Sequence, residues 1–215
     1  MLLLTTTALK TMVEHWHHPD HGRLLTPRHY SRALGTSIRG IPWAIDNDGF
    51  GGFDAAAYRS MIDSLIWDQG RWGDPACLWI NAPDLFVPDG SPCHDETLDL
   101  WSEWRGELAL TGWPLSFVLQ VGSSPHNVPW GELDAVFLGG TTEWKLGCVA
   151  RELVREAKRR GKWVHMGRVN SVRRIAYAKA IGVDSVDGTG WARFRDAMMP
   201  KGLAALDQCV LETGC

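Results

Sequence analysis

Short apolar, β-branched runs alternate along this chain with longer stretches of helical periodicity. The short runs fall at residues 23–26, 42–45, 77–80, 116–119, 135–138, 163–165 and 184–186, and they read as buried strands. Helical spacing covers residues 53–67, 96–110, 142–160 and 172–181, with a last helix near 202–211. Several boundaries have a visible cause: Asp54 is placed to cap the first helix, Gly161 to end the third, and Gly182 to end the fourth ahead of its strand. Such alternation is the pattern of βαβ units around a parallel sheet. With no low-complexity linker and no repeat, residues 1–215 are expected to form a single α/β domain.

The residues at the carboxyl ends of these runs sharpen the picture. The runs end in Asp46-Asn47-Asp48, in Asn81 and Asp84, in Gln120, in Gly139-Gly140, in His165-Met166-Gly167 and in Asp187-Gly188-Thr189. A polar residue or glycine at nearly every carboxyl end is what a (β/α) barrel shows when its site is built from the loops of one rim. An open doubly wound sheet would concentrate such residues at its switch point. A compact TIM-type barrel is therefore expected, close to minimal size at 215 residues and with scope for a degenerate first or last unit, since such barrels take about 250 residues and seldom fewer than about 200.

Composition removes other classes. With 45% hydrophobic and 22% charged residues the chain is an ordinary globular protein rather than a disordered, collagen-like or disulfide-framed one. Its 12 tryptophans stand against 3 tyrosines and 6 phenylalanines, which suits either an aromatic core or a site where flat ligands stack. Trp67, Trp101 and Trp104 fall in helix patterns and suit packing; Trp144 and Trp191 come after strand ends and suit stacking. Five scattered cysteines without a Cys-x-x-Cys pair point to a reducing compartment and to no structural zinc. The run from His15 to His21 lacks metal-ligand spacing and reads as a loop feeding a strand. No phosphate-binding glycine loop or dinucleotide fingerprint is present. No apolar run approaches the roughly 20 residues of a membrane span, and Met1–Leu4 is too short for a signal-peptide core, so a cytoplasmic protein is expected.

The net charge of −3 hides an asymmetry: residues 1–144 carry 8 Lys and Arg against 18 Asp and Glu, and residues 145–215 carry 14 against 7. The excess is densest where Arg151, Arg155, Lys158, Arg159, Arg160, Lys162, Arg168, Arg173 and Arg174 meet only Glu152 and Glu156. This reads either as the footprint of a polyanion binder or as a solvated helix face.

Two carboxylates carry the candidate chemistry. Asp46 ends a strand and precedes glycines that allow close backbone approach and Phe50, which could stack on a planar ligand; it could also simply organise a turn, as Asp48 is expected to do. Of Asp184 and Asp187, three apart around a short strand, only one can look into the barrel mouth. Asp187, at the carboxyl end, is the better placed, and Asp184 is expected to be structural. Carboxylates from distant strands meeting at one rim suit displacement at an anomeric carbon with acid/base help. Gln120 and the Gly139-Gly140 backbone offer paired polar groups to a heterocycle's edge, although Gln120 alone also reads as a satisfied core amide.

In this order the strand ends resemble those of the tRNA-guanine transglycosylase superfamily, and more specifically its phage and bacterial relatives that place 7-deazaguanines in DNA. Asp46-Asn47-Asp48-Gly49-Phe50 is similar to the family's Asp-Ser-Gly-Gly-Phe, Phe117-Val118-Leu119-Gln120-Val121-Gly122 to its Val-Gln-Gly strand, and Leu138-Gly139-Gly140 to its Gly-Gly. Val164-His165-Met166-Gly167 resembles Leu-Met-Gly-Val-Gly, and Gly182-Val183-Asp184-Ser185-Val186-Asp187 resembles Gly-Ile-Asp-Met-Phe-Asp. The resemblance implies that Asp187 is the nucleophile and Asp46 a general acid/base. It also implies that Asp84, Gln120, Gly139, Gly140, Met166 and Phe50 contact the base. The family's zinc cysteines have no counterpart after Asp187, and Gly-Thr-Gly-Trp replaces its Cys-Val-x-Pro-Thr-Arg.

The expected activity is exchange of guanine for a 7-deazaguanine in DNA, or in RNA, through a covalent aspartyl-glycosyl intermediate. The basic residues would hold phosphates, no metal or other cofactor is implied, and a homodimer is common in the resembling family. A sugar-processing barrel using the same carboxylate pair, or an inactive DNA-binding barrel, are the alternatives the residues leave open.

Overall fold

A computed structural model describes residues 1–6, 15, 18–30, 40–72 and 77–207. Its centre is a closed barrel of eight parallel strands: β1 (Leu2–Thr5), β2 (His21–Leu25), β3 (Trp43–Ile45), β4 (Cys77–Asn81), β5 (Leu115–Leu119), β6 (Ala135–Leu138), β7 (Trp163–Met166) and β8 (Ser185–Asp187). Neighbours in sequence are neighbours in the sheet, and β8 closes on β1 with Val186 opposite Leu3. The TIM-type barrel read from the strand ends is thus the observed fold. Seven strands fall where the apolar runs predict them. The eighth is β1, whose four residues are too few to show a period.

Around the barrel run α1 (Ala55–Trp72), α2 (His94–Ala109), α3 (Thr142–Lys145), α4 (Cys148–Arg159), α5 (Val172–Ala180), α6 (Thr189–Arg193) and α7 (Arg195–Asp207). Asp54 caps α1 by accepting the Ala57 amide at 3.0 Å, and Gly161 and Gly182 take positive φ after α4 and α5, as expected. The helix predicted over 142–160 is broken in two, because Gly147 adopts an extended conformation and becomes the N-cap of α4. The last helix begins earlier than its pattern suggests, and residues 208–211 of that prediction lie outside the described residues, as do Cys209 and Cys215.

Minimal size is reached by omission. Residues 120–134, between β5 and β6, contain no helix. Buried Val128, Trp130 and Leu133 cover this part of the barrel instead, with the Trp130 indole donating to the Pro125 carbonyl at 2.9 Å.

Alternate strand residues sort into two layers, as a two-residue period requires. Leu4, Leu24, Ala44, Trp79, Val118, Ala135 and Phe137 form a cluster inside the barrel. Leu3, Leu25, Ile45, Leu119, Leu138, Met166 and Val186 join helix residues such as Leu108, Leu153 and Ile175 in the layer outside it. The tryptophans divide differently from the sequence expectation. Trp101 and Trp104 are buried, but Trp67 is 58% exposed. Trp191 is core, its indole donating to the Val169 carbonyl at 2.5 Å, and Trp144 packs beneath Gly140.

Cys77, Cys93 and Cys148 are free thiols. His21 opens β2 and shares a 2.9 Å hydrogen bond with Thr5, while burial drives its pKa down to about 4. Among the described residues no group of His, Cys, Asp and Glu is arranged to hold a metal ion, and no helix is long and apolar enough to cross a membrane.

Candidate active site

The carboxyl ends of six strands converge on one pocket of about 410 Å³, counting its open mouth. β3 sends Asp46 and, from the turn beyond, Gly49 and Phe50; the loop after β4 sends Asp84 and Phe86; Gln120 comes directly after β5. Phe137 and Gly139 come from β6, Arg168 from the end of β7 and Asp187 from β8. The two carboxylates singled out in sequence, more than a hundred residues apart, therefore share one cavity.

Asp187 is held from one side. Its Oδ1 accepts the Arg168 amide at 3.1 Å and contacts His165 Nε2 at 3.1 Å. The direction of the second bond is set by a chain of partners. The Trp163 indole can only donate, and it gives its proton to Ser185 Oγ at 2.9 Å. At its other end the Asp187 carboxylate can only accept, so Nε2 carries the ring proton and Nδ1 of the neutral ring accepts the Ser185 hydroxyl at 2.8 Å. Burial lowers the His165 pKa against the opposing pull of Asp187, which favours the neutral ring. Asp187 Oδ2, with no hydrogen-bond partner among the described residues, is left for the pocket.

Asp46 lies in different surroundings. Burial, and after it the nearby Asp84 carboxylate, raises its pKa to about 7, against the opposing effect of a 3.1 Å hydrogen bond from Asn81. A carboxyl group poised there can both give and take a proton at neutral pH. Burial also raises the Asp84 pKa, while hydrogen bonds from Asn47 at 2.8 Å and from Gln120 limit the rise. Asn47 is wholly buried. It ties this loop together by donating also to the Ala82 carbonyl at 2.8 Å and accepting the Gly49 amide at 2.5 Å. Asp48, in the left-handed conformation and paired with Arg28 at 3.1 Å, is the turn residue it was expected to be.

Flat surfaces and glycines shape the rest. The Phe50 and Phe86 centroids lie 4.8 Å apart. Phe137 lies 4.7 Å from the His165 ring and Trp79 4.8 Å from the same imidazole, so an aromatic cluster lies beneath the Phe137 face of the pocket. A Cβ on Gly139 would come 2.6 Å from Val118 Cγ1 and 3.0 Å from Gln120 Nε2, and one on Gly167 would meet the Phe137 ring at 2.7 Å. Only glycine leaves the pocket open at these two positions. Lys145, buried behind the wall, donates to the Gly167 carbonyl at 2.5 Å, and burial lowers its pKa to about 7.

Not every expected contact is present. Met166 points into the layer between barrel and helices, because it neighbours inward-facing His165 and so faces the other way. Phe137 supplies the apolar floor instead. No tryptophan among the described residues lines the pocket. The basic run also divides. Lys158 pairs with Asp184 at 2.7 Å, Arg159 and Arg160 pair with Glu156 at 2.7 and 2.6 Å, and Lys162 donates to the Leu133 carbonyl at 2.6 Å. Asp184 and Leu133 precede strands, so these four cations sit at the opposite end of the barrel from the pocket. The geometry explains it: α4 runs antiparallel to the strands, and its C-terminus must end at the far rim. Asp184, which also accepts the Val164 amide at 2.8 Å, is structural as expected.

Arg173 and Arg174, in the first turn of α5 and so on the carboxyl-end face of the barrel, line a separate groove with Asn170, Ser171 and Tyr177. Arg155 is exposed along α4, and Arg151, half-buried, lies near Tyr177. Arg168 is inside the pocket itself. Sequence reasoning missed Phe86, Asn47 and His165. Phe137 was findable, since it precedes Gly139 by two and must share its face.

Neither protein-family models nor curated proteins yield a match to this chain.

Proposed function

We propose that this barrel exchanges guanine for a 7-deazaguanine in a nucleic acid, with DNA as the substrate that the resemblance of its strand ends favours. The observation that carries the reading is the pairing of a one-sidedly held nucleophile, Asp187, with a pocket of flat walls and hydrogen-bond acceptors. Phe50, Phe86 and Phe137 suit a planar heterocycle. Asp46, Asp84 and the Gly139 and Gly140 carbonyls suit a ring edge rich in N–H donors, as guanine's is, and Gln120 adds an amide.

In the first step Asp187 Oδ2 attacks the anomeric carbon, the bond from that carbon to the base nitrogen breaks, and Asp46 gives the departing guanine its proton. In the second, ionised Asp46 takes a proton from the incoming deazaguanine, whose nitrogen forms the new glycosidic bond as the aspartyl ester breaks. Two inversions give net retention. The His165 and Arg168 N–H groups on Oδ1 fix the carboxylate's direction and steady its charge when it leaves. A base in a duplex must be flipped out to reach this depth, and the groove of Arg173 and Arg174 on the same face of the barrel is the proposed seat for the backbone.

The test is incubation of purified protein with guanine-containing DNA or RNA and a labelled 7-deazaguanine. Label is expected to enter DNA, and Asp187→Asn to reduce incorporation by about 10³-fold or more. Absence of incorporation into either polymer, or an undiminished rate in the variant, overturns the assignment.

A further inference from the structure

Arg168 does something that the base-exchange scheme does not require. Among the described residues it is the one cationic side chain lining a pocket that also holds Asp46, Asp84 and Asp187, yet it forms no ion pair with any of these three. Its Nη2 donates instead to two consecutive carbonyls, Gly139 at 2.7 Å and Gly140 at 2.5 Å. The guanidinium lies 4.8 Å from the Phe50 ring centroid and 4.5 Å from that of Phe86. The backbone that delivers it is held at φ +59°, a conformation unusual for a residue other than glycine.

A flat group with both hydrogens of one nitrogen aimed at paired carbonyls, and with its face on aromatic rings, presents the contacts that an amino-bearing heterocycle would present. We propose that Phe50, Phe86 and the Gly139 and Gly140 carbonyls form a seat for planar amidine-like groups, which the Arg168 guanidinium fills in the free protein and an incoming base must empty. This rests on the reading of the pocket as a base site and adds to it a competition within the chain. Base binding is weakened by the fraction of molecules in which the seat is taken. The displaced guanidinium remains on a short loop beside Arg173 and Arg174, where it can join them on a phosphate.

Two variants test this. Arg168→Gly removes the side chain with a residue that takes positive φ freely, and Arg168→Asn does so with one that tolerates it. After thermal melts establish folding, each variant and the parent protein are titrated calorimetrically with methylguanidinium chloride and, separately, with 7-cyano-7-deazaguanine. Methylguanidinium is expected to bind both variants and not the parent, and the deazaguanine to bind the variants about tenfold more tightly. Where the parent binds the deazaguanine, equal or weaker binding by the variants overturns the proposal, as does the absence of methylguanidinium binding to the variants. If methylguanidinium binds the variants while the deazaguanine binds no form, the seat stands and the base-exchange reading falls.

Discussion

Asp46 ties the proposed proton transfer and the stability of the fold to one proton. Its pKa in the folded protein is about 7, against an ordinary value of 3.8. Between those values the folded protein keeps a proton that the unfolded chain has lost, so ionisation of Asp46 opposes folding and stability falls as pH rises from about 4 to 7. Replacing Asp46 with Asn is expected to raise the melting temperature at pH 8 and to change it little near pH 4, as thermal melts across that range would register. The same variant should lose about 10²–10⁴-fold in base-exchange rate. The parent rate should peak near pH 7, where Asp46 both gives and takes a proton. His165 acts through Asp187, and its removal has a size that can be anticipated. His165→Phe keeps an aromatic ring in the floor but loses a hydrogen bond to a charged group, worth about 1.5–3 kcal/mol. Turnover should fall about 10–100-fold with substrate KM nearly unchanged, and in the parent protein ¹⁵N shifts should report the Nε2–H tautomer.

At the scale of elements, the site is made by strand ends, and these are the legible part of the sequence. Asp46, Gln120, Gly139 and Asp187 can be found because each ends or directly succeeds an apolar run, and a barrel gathers such positions at one rim. Loops obey no such period. Phe86 and Asp84 are delivered by the irregular segment after β4, and nothing in their spacing says that Asn47 and Gln120 would hold Asp84 in place. Met166 fails as a pocket residue because the strand's alternation sends it to the other face. Gly139→Ala tests how closely the elements fit. Its new methyl would press on Val118 and Gln120, so the variant is expected to lose about 1–3 kcal/mol of stability and to bind a deazaguanine far less tightly, by denaturant melts and calorimetry.

For the whole molecule, charge is arranged along the barrel axis. A continuous basic stretch in sequence becomes separate groups in space, with Arg173 and Arg174 on the carboxyl-end face and, at the far end, Lys158, Arg159 and Arg160 tied up in ion pairs with Asp184 and Glu156. Affinity for DNA should depend on the first group alone. Arg173→Ala with Arg174→Ala is expected to weaken binding and to reduce the slope of log affinity against log salt by about 2, since each phosphate contact contributes about 0.9. Arg159→Ala with Arg160→Ala should leave both unchanged. The central claim, that Asp187 forms a bond to the sugar of a nucleic acid, has a direct measurement. Protein mixed with guanine-containing DNA, quenched by denaturation and digested, is analysed by mass spectrometry for a nucleotide adduct. An adduct on the peptide containing Asp187, absent from Asp187→Asn, is the expected result; base exchange proceeding with no adduct, or with the adduct on another residue, would contradict it.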